Sequence, residues 1–114
     1  MAWDLVEFAE NPLTIVYPNA KRVAPSLISN DGTIAIRVVK DDFCQMLINS
    51  LRKPLVSTSA NISGEPSPAY FDEISEEIKS KVDYIVPLRQ DETTENKPSR
   101  IMKIGLNGLL EIIR

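Results

Sequence analysis

Short runs of apolar residues alternate along the chain with stretches in which the apolar residues are spaced as on one face of a helix. Residues 13–17 form a compact β-prone run. Residues 33–39 alternate, with isoleucines and a valine on one face and Arg37 on the other, which predicts a second strand. Residues 100–104 and 109–113 surround an Asn-Gly pair and predict a closing hairpin with a tight turn.

Helical spacing appears in three places. A first short helix is predicted after Asp4, which suits an N-cap. A second begins at Asp41 or Asp42, and a third is predicted over residues 71–82. Strands that alternate with helices predict one α/β domain over residues 1–114, with a mixed twisted sheet and flanking helices.

Two further apolar stretches also favour strands. Leu55–Val56 is predicted as a short buried strand that runs into a polar loop, and Tyr84–Pro87 as another strand. Residues 89–99 are polar and predict a mobile connection.

Composition narrows the chemistry that the chain can perform. The formal net charge is -3, and residues 69–95 carry eight acidic side chains against three basic ones. This charge disfavours non-specific electrostatic binding to nucleic acid. No histidine is present, so the commonest metal ligand and general base are missing. The single cysteine excludes an internal disulfide. Neither a membrane-spanning run nor a signal peptide is present, which predicts a cytoplasmic protein without membrane contact.

The loop after Val56 is the first candidate site. Residues 57–67 contain four serines, a threonine, an asparagine and a glycine. Open α/β sheets place ligands at the carboxyl ends of their strands, and small hydroxyl residues let backbone amides approach an anion. A polar loop that satisfies its own backbone would have the same composition, so both interpretations stay open.

Arg37 is the second candidate, because it is flanked by Ile36 and Val38 and shares its face with apolar residues. An arginine so placed must reach water, a carboxylate or a bound anion. A solvated face or an ion pair explains it equally well. Ser99 and Arg114, considered by themselves, are only weak indications of a binding site.

The chain resembles the Sua5/YciO/YrdC family of threonylcarbamoyl-AMP synthases. The match is carried by KPLVSTSANISGEPS at residues 53–67, NPLTIVYP at 11–18 and GTIAIRVV at 32–39, with Pro98-Ser99 and the terminal Ile-Ile-Arg downstream. The order and spacing of these segments agree over nearly the whole chain. The family pattern has a glycine before Pro12, a proline after the Ile-Arg pair and Pro-Ser-Thr at residues 98–100, and this chain departs from it at all three places.

The resemblance implies an enzyme, a nucleotidyltransferase that joins L-threonine, bicarbonate and ATP to threonylcarbamoyl-AMP and pyrophosphate for tRNA modification, with Mg²⁺ expected on the phosphates. It assigns no catalytic side chain. It implies that L-threonine is held by Arg37, Ser57 and Ser99. It implies that ATP is held by Thr33, Ser59, Ser67 and Arg114, with Asn61 shaping the loop.

The resemblance also predicts an incomplete domain. Residues 1–10 do not supply the long N-terminal part of the family domain, with its basic ATP contacts, so the chain is expected to be its C-terminal part and to turn over little alone. Two alternatives remain. One is an RNA-binding module of the translation-factor type without catalysis. The other is self-association through an exposed sheet edge.

Overall fold

The computed structural model describes residues 2–93 and 98–114. Close contacts divide the chain into two compact units. The first unit comprises Met1–Lys53 and Pro98–Arg114, and the second comprises Pro54–Lys97. The prediction that residues 1–114 form one domain stays a prediction.

The first unit is built on a four-stranded sheet. Its strands are β1 (Leu13–Tyr17), β2 (Ile34–Arg37), β3 (Arg100–Ile104) and β4 (Leu110–Ile112), in the spatial order β2-β1-β3-β4. β1 runs parallel to β3, and the other two pairs are antiparallel. The predicted α/β class with a mixed sheet is therefore confirmed.

Two α-helices accompany this sheet. α1 spans Ala2–Phe8, so Asp4 lies within the helix and the prediction that it caps the N-terminus is wrong. α2 spans Asp42–Leu51, and its cap is Asp41, whose carboxylate accepts a hydrogen bond from the Cys44 amide at 3.0 Å. A 3₁₀ turn at Pro25–Leu27 lies between β1 and β2.

The core of the first unit is small. Val6 of α1 packs against Leu13 and Ile15 of β1, and Ile15 is fully buried. Partly buried side chains of α1 and of β3 surround these three, including Met102 and Ile104. One face of the sheet is therefore the apolar core, covered by α1, and the opposite face carries polar side chains together with Val16, Ala35 and Ile101.

The predicted closing hairpin between residues 100–104 and 109–113 is confirmed. The Gly105 amide donates to the Leu109 carbonyl at 2.8 Å, so residues 106–108 form a three-residue loop. Gly108 ends this loop with φ of +78°, the left-handed conformation that three-residue hairpins require.

The second unit holds a 3₁₀ turn at Phe71–Glu73 and α3 at Glu76–Lys81. The predicted helix over residues 71–82 is therefore interrupted. Ser75 explains the break, because its hydroxyl accepts a hydrogen bond from the Ile78 amide and so caps a new helix.

The strands predicted at Leu55–Val56 and Tyr84–Pro87 are both wrong. Neither stretch has a ladder partner, and Val56 and Tyr84 are each 74% exposed. An apolar run becomes a strand only where another strand accepts its backbone hydrogen bonds, and all four strands described here belong to the first unit. The predicted mobility of residues 89–99 concerns a stretch of which 94–97 lie outside the described residues.

Across the described parts of the chain, no helix has the length and hydropathy needed to cross a bilayer.

Candidate functional site

Strand register brings Arg37 and Thr14 together on the face of the sheet away from α1. Thr14 lies directly opposite Arg37 in the antiparallel β1–β2 pair and beside Ile101 in the parallel β1–β3 pair. Paired residues point to the same side of a sheet. We call this side the polar face and define it by Thr14, Arg37, Ser99 and Lys103.

Ser99 joins the polar face through its hydroxyl. It lies one residue before β3 and two before Ile101, so strand alternation directs it to the same side as Thr14. The Thr14 and Ser99 hydroxyl oxygens are 2.6 Å apart, a short hydrogen bond between residues far apart in sequence. The structure therefore places Arg37 and Ser99, both predicted to hold L-threonine, on either side of Thr14.

Arg114 reaches the same place from the end of the chain. The Ile113 and Arg114 amides both donate to the Ile101 carbonyl, at 2.9 and 3.3 Å, so two residues oppose one as in a β-bulge. The Arg114 guanidinium donates two hydrogen bonds to the Ser99 carbonyl, from Nη2 at 2.8 Å and from Nε at 3.0 Å. A residue predicted to contact ATP is thereby tied to one predicted to contact L-threonine.

Thr33 lies one residue before β2, at the other end of this face. It is 8% exposed, and its hydroxyl and amide both donate to Asp31 Oδ1, at 2.7 and 3.2 Å. Lys103 donates to Asp31 Oδ2 at 3.2 Å. The Thr33 hydroxyl, followed by Lys103, lowers the pKa of the Asp31 carboxyl to about 2. Asp31 is therefore ionised at neutral pH, and the Thr33 hydroxyl proton is engaged.

The loop at residues 57–67 belongs to the second unit. The side chains of Ser57, Ser59 and Ser67 are exposed. The loop is closed by a turn in which the Glu65 amide donates to the Ile62 carbonyl at 2.9 Å. The predicted serines are therefore open to solvent, and they lie before and after this turn rather than in it.

Asn61 and Gly64 shape this turn. Asn61 Nδ2 donates to the Ile62 and Glu65 carbonyls, both at 3.0 Å, while its buried Oδ1 accepts no bond from a described residue. Gly64, third in the turn, has φ of +89°, the value of a type II turn. The structural part of the Asn61 prediction, that it shapes the loop, fits this geometry.

The two units differ in net charge. The first unit has nine basic and seven acidic residues, a net charge of +2, and the second has four and nine, a net charge of −5. Within the first unit, Arg37, Lys103 and Arg114 all belong to or reach the polar face. An anionic ligand is therefore favoured on this face.

A groove of about 480 Å³ opens on the opposite, α1-covered side of the first unit. Its walls include Leu5 and Phe8 of α1 with Leu13 and Met102 of the sheet. The lining also includes the polar residues Asp4, Glu10, Asn11 and Arg100. None of the predicted site residues lines the groove.

The resemblance implies Mg²⁺ on the ATP phosphates, and the ion could be held by clustered carboxylates. In the described stretches, no three His, Cys, Asp or Glu side chains cluster so that they could hold a metal ion. Mg²⁺ on nucleotide phosphates is usually held by one or two carboxylates, the phosphates and water. The described residues therefore form no cluster that would hold the ion by protein ligands alone, and no side chain is assigned to it.

Together, the mixed sheet and its polar face define an α/β domain with a hydroxyl- and arginine-lined face suited to a carboxylate or phosphate. The chain belongs to the Sua5/YciO/YrdC family, because that family model, described as "Telomere recombination", matches residues 2–114.

Curated relatives agree with this membership. The chain is 35% identical over 106 residues to a Methanocaldococcus jannaschii protein named "Putative threonylcarbamoyl-AMP synthase", covering 93% of this chain and 48% of that one. It is 32% identical over 99 residues to the threonylcarbamoyl-AMP synthase of Vibrio campbellii, covering 87% and 52%. The chain therefore spans about half the length of these relatives. No solved structure gives a significant match.

Sequence reasoning missed two residues of the polar face. Thr14 has a visible signal, since it is the one polar residue in the run Leu13-Thr-Ile-Val-Tyr17 apart from the terminal tyrosine. Lys103 has no local signal, because its link to Asp31 spans 72 positions. Such a link depends on strand pairing and cannot be inferred from local spacing.

Proposed function

We propose that this chain provides the amino-acid side and part of the nucleotide side of a threonylcarbamoyl-AMP synthase site. One observation carries the proposal: Arg37 lies opposite Thr14 on the polar face, and Thr14 is hydrogen-bonded to Ser99 at 2.6 Å. Family membership gives this arrangement its candidate ligand, because the relatives' names specify threonylcarbamoyl-AMP synthesis.

Arg37 is the group that binds the L-threonine carboxylate in this proposal. Its side chain is exposed and its strand lies at the sheet edge, so a ligand can reach the guanidinium from solvent. A planar guanidinium forms two parallel hydrogen bonds with a carboxylate, which fixes the orientation as well as the charge. The neighbouring hydroxyls then meet the remaining polar groups of the amino acid.

The reaction requires placement of charge more than proton transfer through histidine. The L-threonine amine takes up bicarbonate as a carbamate with loss of water, and a carbamate oxygen then attacks the α-phosphorus of ATP while pyrophosphate leaves. Correct alignment and fixed positive charge favour such a displacement. A chain with serines, arginines and no histidine is consistent with this chemistry.

Arg114 and Thr33 are the proposed nucleotide contacts of the first unit, with Ser59 and Ser67 as those of the second. In the ligand-free structure the Arg114 guanidinium donates to the Ser99 carbonyl. A phosphate oxygen is a stronger acceptor than a neutral carbonyl, so bound ATP is expected to draw this guanidinium away. Within the second unit, Ser57 is the proposed contact for L-threonine, and its side chain is exposed, as are those of Ser59 and Ser67.

The proposal separates binding from turnover. Because the chain spans about half the length of its curated relatives, we expect it to bind L-threonine yet give no ATP–pyrophosphate exchange above background. The assay combines radiolabelled pyrophosphate, ATP, bicarbonate and L-threonine with the 114-residue protein, and the Vibrio campbellii relative serves as the positive control. Robust exchange by these 114 residues alone would contradict the expected lack of turnover.

We expect the protein to be cytoplasmic.

We also expect the protein to self-associate at the open edge of β4. Among the described residues β4 pairs only with β3, and Ile112 is 76% exposed. An unpaired strand edge is a template for another strand. Sedimentation velocity over a concentration series checks this expectation, and a monomer at the highest concentration would refute it.

A further inference from the structure

Thr14, like Lys103, is a polar-face residue to which the family resemblance assigns no role. It occupies the second position of β1, between the buried Leu13 and Ile15, and is itself half-buried. A valine would suit such a strand equally well for packing. The hydroxyl therefore calls for an explanation other than strand formation.

The hydrogen bond between Thr14 and Ser99 supplies that explanation. At 2.6 Å the two oxygens are at the short end of the range for hydroxyl pairs. Thr14 is held by strands on both sides and is β-branched, so its side chain has little rotational freedom. Ser99 precedes β3, and the serine side chain can rotate more freely. Thr14 is thus the fixed member of the pair.

A count of protons shows what the pair can offer a ligand. Two hydroxyls carry two protons, and their mutual hydrogen bond uses one of them. Neither hydroxyl bonds any other residue that the structure describes. One O–H donor therefore remains available on the polar face, beside Arg37.

We propose that Thr14 is a positioning residue that donates its proton to Ser99 Oγ and so directs the remaining Ser99 proton toward the ligand bound by Arg37. A hydroxyl that accepts one hydrogen bond becomes a better donor of another, so Thr14 also strengthens the Ser99 contact. As long as ATP is absent, the double hydrogen bond from Arg114 fixes the Ser99 backbone, and the Ser99 side chain is held by Thr14 alone among the described residues. This inference rests on the proposed function.

The test measures L-threonine affinity by calorimetry for the 114-residue protein and its variants. Thr14→Val removes the hydroxyl at nearly constant volume and is expected to weaken L-threonine binding by about fivefold or more. Thr14→Ser keeps the hydroxyl and is expected to stay within about twofold of the wild type. Thr93→Val, at an exposed position with no assigned role, is the matched control.

A double-mutant cycle distinguishes positioning from a purely structural role. If Thr14 acts through Ser99, then Thr14→Val has no further effect on L-threonine affinity in a Ser99→Ala background. Additive losses in the double variant would overturn the inference. Circular dichroism confirms folding of each variant, and Thr14→Cys, with the same expected loss, replaces Thr14→Val if the latter does not fold.

The outcomes separate this inference from the proposal beneath it. If the wild-type protein does not bind L-threonine, the proposed function and this inference both fail. If the wild type binds and Thr14→Val binds equally well, only the role of Thr14 is refuted. Loss in Thr14→Val, recovery in Thr14→Ser and no added loss in the Ser99→Ala background support it.

Discussion

At the scale of single residues, the surroundings of Arg37 on β2 determine what its guanidinium can bind. Its neighbours on β2 are apolar, and its partner across the sheet is Thr14 rather than an acid. Among the described residues no ion pair with Arg37 is formed. The guanidinium is exposed, so the ion-pair interpretation is removed for the described residues, and a solvated face or a bound anion remains.

Substitution of Arg37 by lysine tests this role. Lysine keeps the charge but loses the planar pair of donors, so L-threonine affinity is expected to fall about tenfold or more. The control is Arg22→Lys, an exposed position without an assigned role, which should bind like the wild type. Calorimetric titration of both variants measures the difference, and equal affinities would mean that Arg37 is only a solvated charge.

The Asp31 carboxyl gives a prediction that does not depend on a ligand. Its pKa is lowered to about 2 from the ordinary value of 3.8, first by the Thr33 hydroxyl and then by Lys103. Because the pKa is lower in the folded state than in the unfolded state, the ionised Asp31 carboxylate adds to the free energy of unfolding above pH 3.8. This contribution is lost as the pH falls toward about 2. Carboxyl NMR titration should find this low value in the wild type.

Thr33→Val removes the main cause of the low pKa. The pKa of Asp31 should then rise toward its ordinary value, because the strongest hydrogen bond to the carboxylate is gone. Thr93→Val should leave it unchanged. A wild-type Asp31 that already titrates near 3.8 would show that the bond to Thr33 does not form in solution.

At the scale of elements, local signals predicted those structures that depend on local chemistry. Asp41 caps α2 as expected, and the Asn-Gly pair does mark the β3–β4 hairpin. The stretches at 55–56 and 84–87 have the same apolar composition as true strands but no partner strand. Strand formation depends on pairing at a distance, which a single sequence does not reveal.

The serine loop carries an element-scale prediction at Gly64. Alanine there would meet no atom within 4 Å, so its cost comes only from the φ of +89° and amounts to about 1–2 kcal/mol. Hydrogen exchange of the Glu65 amide, which closes the turn, should accelerate about tenfold. Ser63→Ala, in the same turn at negative φ, is the control. Unchanged exchange in Gly64→Ala would refute the type II turn.

At the scale of the whole molecule, four of the seven predicted site residues lie around one face of the first unit. Motif order identified Thr33, Arg37, Ser99 and Arg114, and strand pairing gathers these four around one face of the first unit. Thr14 and Lys103 join them only through register and long-range contacts. The roles of Ser57, Ser59 and Ser67 stay predictions, since the structure shows their exposure and the closure of their loop alone.

Charge at this scale bears on the RNA-binding alternative. The second unit has a net charge of −5 and would repel a phosphate backbone, while the first has only +2. RNA binding by this chain stays a prediction without a specific structural observation in its favour. A salt titration of RNA affinity tests it, since phosphate contacts would show a steep loss of binding with rising salt.

The most direct test of the central claim is an NMR titration of the 114-residue protein with L-threonine. The account predicts saturable shifts at the amides of Thr14, Arg37 and Ser99, all on the polar face, with little change for D-threonine. Absence of saturable shifts, or shifts confined to the groove beside α1, would contradict it.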